Sequence, residues 1–219
     1  MPTYIAEAHA NITVDGDNNV PVPSGSQSGD RFVVNVSSFE HVVNSIPAGW
    51  TTLVPGHGAD GGASHTRTKQ TVFSGIYDGS TPVFNVTQGA SRDANVSTVA
   101  CRDASTVDQT DSSENATSTT IHTTPSLTPS ANEALILCLW GGGALVVTGT
   151  PTSPLVEAVD YEYWGWNYVG YYSQSTAAAF SGEVTSTSGQ GDAAAIVVLL
   201  STTTEADNSP IGFIGYGAC

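Results

Sequence analysis

The chain predicts an all-β fold: an antiparallel β-sandwich, jelly-roll-like in plan, with an immunoglobulin-like arrangement as the alternative. Three observations lead there. About ten short runs rich in Val, Thr and aromatics follow one another, each bounded by Gly, Pro, Asn or Asp, as in sandwiches and barrels. No stretch repeats its apolar residues with a period of 3.6, so no amphipathic helix is expected. Charged residues make up only 11% of the 219-residue chain. The surface is therefore solvated by hydroxyls and amides, and Thr and Val supply strand propensity where helix formers are few.

The elements follow in order. Residues 7–14 read as a first strand, ended by the turn signal Asp15-Gly16-Asp17-Asn18-Asn19. Val20-Pro21-Val22-Pro23 is extended and placed at an edge, because proline cannot donate to a central ladder. In Gly29-Asp30-Arg31-Phe32-Val33-Val34-Asn35-Val36, Gly29 supplies the positive φ of a tight turn and Asp30 accepts from local backbone. Phe32, Val34 and Val36 then alternate with Arg31 and Asn35, Val33 adds burial to the other face, and a strand runs over 31–39. In Ile46-Pro47-Ala48-Gly49-Trp50-Thr51-Thr52-Leu53, Pro47 fixes φ and Gly49 allows the bend. Trp50 opens a strand over 50–54 as a large buried anchor.

A Gly-rich loop at 56–64 precedes strands at 66–77, 82–87 and 95–102, with Asp78-Gly79-Ser80 reversing the chain. Residues 103–133 are polar and read as a long surface excursion with one or two edge strands. The continuous apolar run at 133–140 suits a central strand covered on both faces, ended by Gly141-Gly142-Gly143. An aromatic-dense stretch occupies 158–169. A strand at 180–187, a turn at Ser188-Gly189-Gln190-Gly191-Asp192 and a last core strand at 193–200 complete the reading. No shift in composition marks a boundary. Residues 1–204 are expected to form one sandwich with a polar insertion around 103–133, and residues 205–219 a Gly/aromatic C-terminal arm that swaps or docks.

Charge limits the partners. The chain has 20 acids and five Lys or Arg, a net charge of −15, and no Lys or Arg after Arg102. A nucleic-acid groove needs clustered cations, so no nucleic-acid partner is expected, and attraction to an anionic membrane fails for the same reason. Cys101, Cys138 and Cys219 are too few and too scattered for a disulfide framework, and the first two read as small core residues. Met1-Pro2-Thr3-Tyr4 opens no signal peptide, and the apolar run before Trp140 is too short to span a bilayer. The expectation is a chain made in a cytoplasm, with no membrane insertion.

The search for chemistry yields candidates rather than a signature. There is no Gly-x-Ser-x-Gly elbow and no local nucleophile–His motif. His57, Asp60 and His65 share the Gly-rich loop, but a flexible loop does not preorganise metal ligands. Asp15-Gly16-Asp17-Asn18-Asn19 opens like a calcium loop, yet Val20 and Ser26 stand where Gly and Glu are required. Glu157, Asp160 and Glu162 lie among aromatics, and a glycosidase would need two of them to face each other across a cleft. No catalytic residue, metal or cofactor is assigned. Tyr161, Tyr163, Trp164, Trp166, Tyr168, Tyr171 and Tyr172 form the best candidate for a ligand platform or a subunit interface, with one face of the strand serving as core.

The order of several pieces is informative. Gly29-Asp30 with its strand, Pro47-Ala48-Gly49-Trp50, Thr71-Val72-Phe73-Ser74-Gly75-Ile76-Tyr77, Pro82-Val83-Phe84-Asn85-Val86 and Val99-Ala100-Cys101-Arg102-Asp103 follow one another. This series resembles a β-sandwich module of tailed-phage structural proteins, in which a Gly-Asp strand precedes a Pro-Ala-Gly-Trp turn. The likeness covers residues 5–103 well and 130–200 loosely; Cys101 and Asp103 depart from the aromatic and Gly of that pattern. It implies a non-enzymatic virion protein in a tail fibre, tail tip or capsid decoration, assembling with itself as a homo-oligomer and with other virion proteins. It carries over no catalytic residues. The alternative is a carbohydrate- or host-receptor-binding module that meets a host-surface glycan through the aromatic stretch.

Overall fold

The computed structural model describes residues 1–38, 41–58, 68–88, 94–143, 147–163 and 165–201. Strands dominate them, and no helix is present among them. The first half supplies β1 (Thr3–Ile12), β2 (Gly16–Asn19), β3 (Arg31–Ser38), β4 (His41–Ser45), β5 (Thr51–His57), β6 (Lys69–Ile76), β7 (Val83–Gln88) and β8 (Ala94–Arg102). The second half supplies β9 (Thr106–Thr123), β10 (Ala134–Gly142), β11 (Gly149–Pro151), β12 (Val156–Glu162), β13 (Trp166–Gln174) and β14 (Glu183–Leu200). The expected antiparallel β-sandwich forms. One sheet runs β1-β8-β3-β6-β5; the other runs β11-β14-β10-β13-β12, with β9 along the free side of β14. A small sheet, β2-β7-β4, lies outside the first.

Burial follows from this layering. Val33, Val72, Val99 and Cys101 of the first sheet meet Leu135, Leu137, Leu139, Val169 and Val197 of the second. The alternate residues Phe32, Val34 and Val36 face outward to the small sheet, where Phe84 and Val86 cover them. So β3 is buried on both faces. Ile136, Cys138, Trp140, Ala194 and Ile196 form a further core on the outer face of the second sheet, with Val147 and Leu155. The continuous apolar run of β10 is explained by this double cover.

The two motif turns are built as their residues require. Gly29 takes φ 100° and Gly49 φ 81°. The N–H of Trp50 donates to Pro47 O at 3.1 Å. Trp50 is half-buried rather than fully buried, tilted against Phe73 and edge-on to Phe32. Its ring lies so close to Gly75 that a Cβ there would stand 2.2 Å from it, so only glycine fits beneath it.

Three expectations need correction. Ser188 to Asp192 is no turn: β14 runs unbroken through it, with register shifts against β9 around Gln190. Gly189 and Gly191 flank a bulge at which β14 changes partner from β11 to β10. Asp17-Asn18-Asn19 is likewise strand, pairing with β7 after a positive-φ Gly16. The short strand β4 lies in a stretch that the sequence did not mark. The polar stretch 103–133 carries one 18-residue edge strand, β9. Arg67, the Asp60 and His65 end of the Gly-rich loop, and the arm at 205–219 lie outside the described residues.

Candidate functional site

The aromatic candidates divide between the two faces of the second sheet. β12 ends at Glu162 and β13, antiparallel to it, begins at Trp166, so the seven residues do not share one strand. Trp166 and Tyr168 point into the outer core, fully buried, their rings 5.4 Å apart. Tyr172 flanks the same core and stacks on Phe180. Tyr161 and Tyr171 face the other way, onto the core between the sheets. There Tyr171 stacks on Tyr4 at 4.3 Å, and Tyr161 lies 4.1 Å from the ring of His9 while its hydroxyl donates to Asn11 Oδ1. Burial pushes the Tyr161 and Tyr168 hydroxyls above their ordinary pKa. Tyr163 is 47% exposed, and Trp164 lies outside the described residues.

The three acids of β12 do come to one side of the strand, the side of Trp166 and Tyr168. A bulge between Glu157 and Val159 brings Glu157 into phase with Asp160 and Glu162. Their oxygens are largely engaged. Asp160 accepts from Trp166 Nε1 at 2.9 Å and from the Gly149 N–H at 2.8 Å, and Glu162 accepts from the Val147 N–H. A carboxylate with both oxygens hydrogen-bonded in this way is a clamp on the 147–149 segment rather than a general base. Burial and the neighbouring Asp160 charge raise the Glu157 carboxyl above its ordinary pKa.

The structure assembles one constellation that the sequence hid. His122 of β9 places Nδ1 2.9 Å from Asp192 Oδ1 and Nε2 2.8 Å from Ser186 Oγ. This is the connectivity of a Ser-His-Asp triad. All three residues are buried: Ser186 is 4%, His122 1% and Asp192 3% exposed. The Ser186 hydroxyl also has Ser188 O within 2.8 Å as an acceptor. A nucleophile must reach a reacting carbon at about 3 Å, and a serine under this cover meets none; the set ties β9 to β14 across their irregular register. Nothing in the sequence pointed to it, because His122 and Asp192 become neighbours only through the pairing of β9.

A second polar network lies between the sheets. Asn167 Nδ2 donates to Asn35 O at 3.1 Å, and its Oδ1 accepts from Asn35 Nδ2 at 3.1 Å and from Ser97 Oγ at 2.7 Å. Gln70 Nε2 donates to Asn35 Oδ1 at 3.0 Å, and His57 Nε2 lies 3.0 Å from Gln70 Oε1. All of these amides are fully buried. At one end of the sandwich the inter-sheet layer thus changes from apolar to polar. Asp60 and His65 are not described beside His57, and among the described residues no three His, Cys, Asp or Glu side chains gather to hold a metal ion.

Two of the hollows on the described surface bear on these motifs and edges. A polar cleft of about 540 Å³ is lined by Gly29, Asp30, Arg102, Asp103 and Ser201. Arg102 holds Asp30 with two 3.0 Å contacts. Burial alone would raise the Asp30 carboxyl, but these bonds, the Gln27 N–H and the Arg102 charge keep it below its ordinary value. The Gly-Asp motif is therefore fastened to the end of β8. A groove of about 520 Å³ opens between the edge strands β5 and β9. No protein family, curated protein or solved structure matches this chain.

Proposed function

We propose that this protein is a non-enzymatic structural component of a tailed-phage particle, a sandwich that packs on copies of itself and on neighbouring virion proteins. The observation that carries the reading is the ordered motif series, whose first and last members are joined by the Asp30–Arg102 pair. The disposition of reactive groups supports it. The Ser186-His122-Asp192 set is sealed, and the β12 acids clamp the 147–149 segment. A low density of charge on a strand-built surface suits a part made for packing. A glycan platform would need several exposed rings in one plane, and Tyr163 is the only exposed one among the described candidates.

The experiment is mass spectrometry of washed, purified particles. The reading expects the chain at fixed stoichiometry with the other virion proteins. Its absence from particles, or a variable trace amount, overturns the reading.

A further inference from the structure

A further hollow, of about 280 Å³, opens where the small sheet meets the first sheet. Among the described residues β4 pairs with β7 alone and β5 with β6 alone. These two edge strands are therefore not joined, and residues of both line the hollow. β6 adds Lys69 and Thr71, alternate residues of one strand face, while Gln70 between them turns inward to Asn35. The space admits several water molecules or one short aliphatic acid. No described Asp or Glu lines it.

The hollow holds a cation that the described fold does not neutralise. Of the chain's five Lys and Arg residues, Arg31, Lys69 and Arg102 are described. Arg102 is engaged by Asp30, and Arg31 by Ala104 O, Ser105 O and Ser74 Oγ. Lys69 is half-buried, yet its ammonium makes no ion pair or hydrogen bond with the described residues. Its charge reaches across the hollow. His41, on another wall and 2% exposed, has its pKa lowered to about 4 by burial and by the Lys69 charge. An anion placed between an ammonium and a buried imidazole meets a favourable potential. Val42, Val43 and Pro55 supply an apolar share of the lining, and Thr52 and Thr71 supply hydroxyls.

We propose that this hollow binds a short aliphatic carboxylate, its oxygens on the Lys69 ammonium and its methylene carbons against Val42, Val43 and Pro55. Bonds from an ammonium to a carboxylate are charge-assisted and stronger than neutral ones. One cation balances one negative charge, so a carboxylate fits better than a doubly charged phosphate. A free organic acid and the Asp or Glu side chain of a second copy share this chemistry.

The test titrates sodium propionate into the isotope-labelled full chain at fixed ionic strength and neutral pH, where His41 is uncharged. The Gly56 and Thr71 amide resonances are followed in the wild type, in Lys69→Gln and in Lys69→Arg. Expected are saturable shifts in the wild type and an affinity at least about tenfold weaker in Lys69→Gln, as for the loss of a hydrogen bond to a charged group. Lys69→Arg keeps the charge and binds within about threefold of the wild type. Inorganic phosphate binds more weakly than propionate. Linear shifts that sodium chloride reproduces, equal affinity in Lys69→Gln, or phosphate binding as tightly as propionate each overturn the proposal. Light scattering on the same samples separates the two sources. A monomer throughout assigns the site to a free acid; an oligomer that propionate dissolves and Lys69→Gln lacks assigns it to an acidic side chain of a second copy. Unchanged β10 resonances in Lys69→Gln check that the fold is kept.

Discussion

The two long sides of the sandwich are closed in different ways. On the β1/β12 side, tyrosines bridge the sheets: Tyr4 stacks on Tyr171, and Tyr161 packs on His9 and bonds Asn11. On the β5/β9 side, among the described residues, Leu53 and Val107 flank the core, and the strands part over a groove. Large rings bridge a gap between splaying sheet edges that aliphatic residues leave open, and each Tyr keeps its hydroxyl where a partner or water meets it. The comparison teaches that one edge is closed by side chains of the described fold, while the other keeps a groove between two edge strands. The acids along β9, Asp108, Asp111 and Glu114, discourage unspecific pairing at that edge.

The harshest way to disturb both sides at once is to remove what braces them jointly. Asn167→Leu leaves Asn35 and Ser97 buried without their partner, and a loss of about 3–4 kcal/mol is expected in urea unfolding. A loss below about 1 kcal/mol would mean that the amide layer contributes little to holding the sheets.

Acid also acts away from both edges, beneath the small sheet, where His41 of β4 meets Thr71 of β6. His41, buried beside Thr52 and Pro55, has its pKa lowered to about 4 by burial and by the Lys69 charge. The fold therefore holds it neutral, while the unfolded chain takes up a proton below about 6.5. Its contribution is complete above that pH and falls away between about 6.5 and about 4, by roughly 3 kcal/mol in total. Urea midpoints against pH should show this limb in the wild type and a flatter one in His41→Gln. Parallel curves would remove the assignment.

Opening the closed side by Tyr171→Ala should cost about 2 kcal/mol, less than a fully buried aromatic because the ring is half-exposed. Leu53→Ala, on the side that lacks rings, should cost about 1 kcal/mol. Equal losses in thermal or urea unfolding would erase the contrast between the sides. The Tyr4→Ala/Tyr171→Ala pair should be non-additive, since the two rings share one contact.

Much of the fold is legible in the sequence because turn chemistry is local. Gly29, Gly49 and Gly79 all adopt the positive φ that their turns demand, and β8, β10 and the ends of β3 and β6 lie close to where alternation and apolar runs put them. What escapes is whatever depends on the opposite strand. Gly189 and Gly191 carry a turn signature, yet β14 continues through them, because Gln190 and Asp192 pair with β9 beside them. Asn35 looks like the polar side of an amphipathic strand and is fully buried, because amides from β6 and β13 meet it there. The aromatic stretch is visible as a cluster, but its division between two cores follows from the antiparallel pairing of β12 with β13 and the alternation along each. The triad-like Ser186-His122-Asp192 set depended on a polar edge strand whose residues show no clear alternation.

The buried thiols have a practical consequence. Cys101 lies in the layer between the sheets and Cys138 in the layer outside the second sheet. Burial raises both pKa values, that of Cys138 to about 12, so the closed protein presents neither to an alkylating reagent. Each becomes reactive only when its own layer comes apart. The molecule thus carries two internal clocks, one per core, and timed alkylation read by peptide mass would tell which layer yields first without any label being introduced.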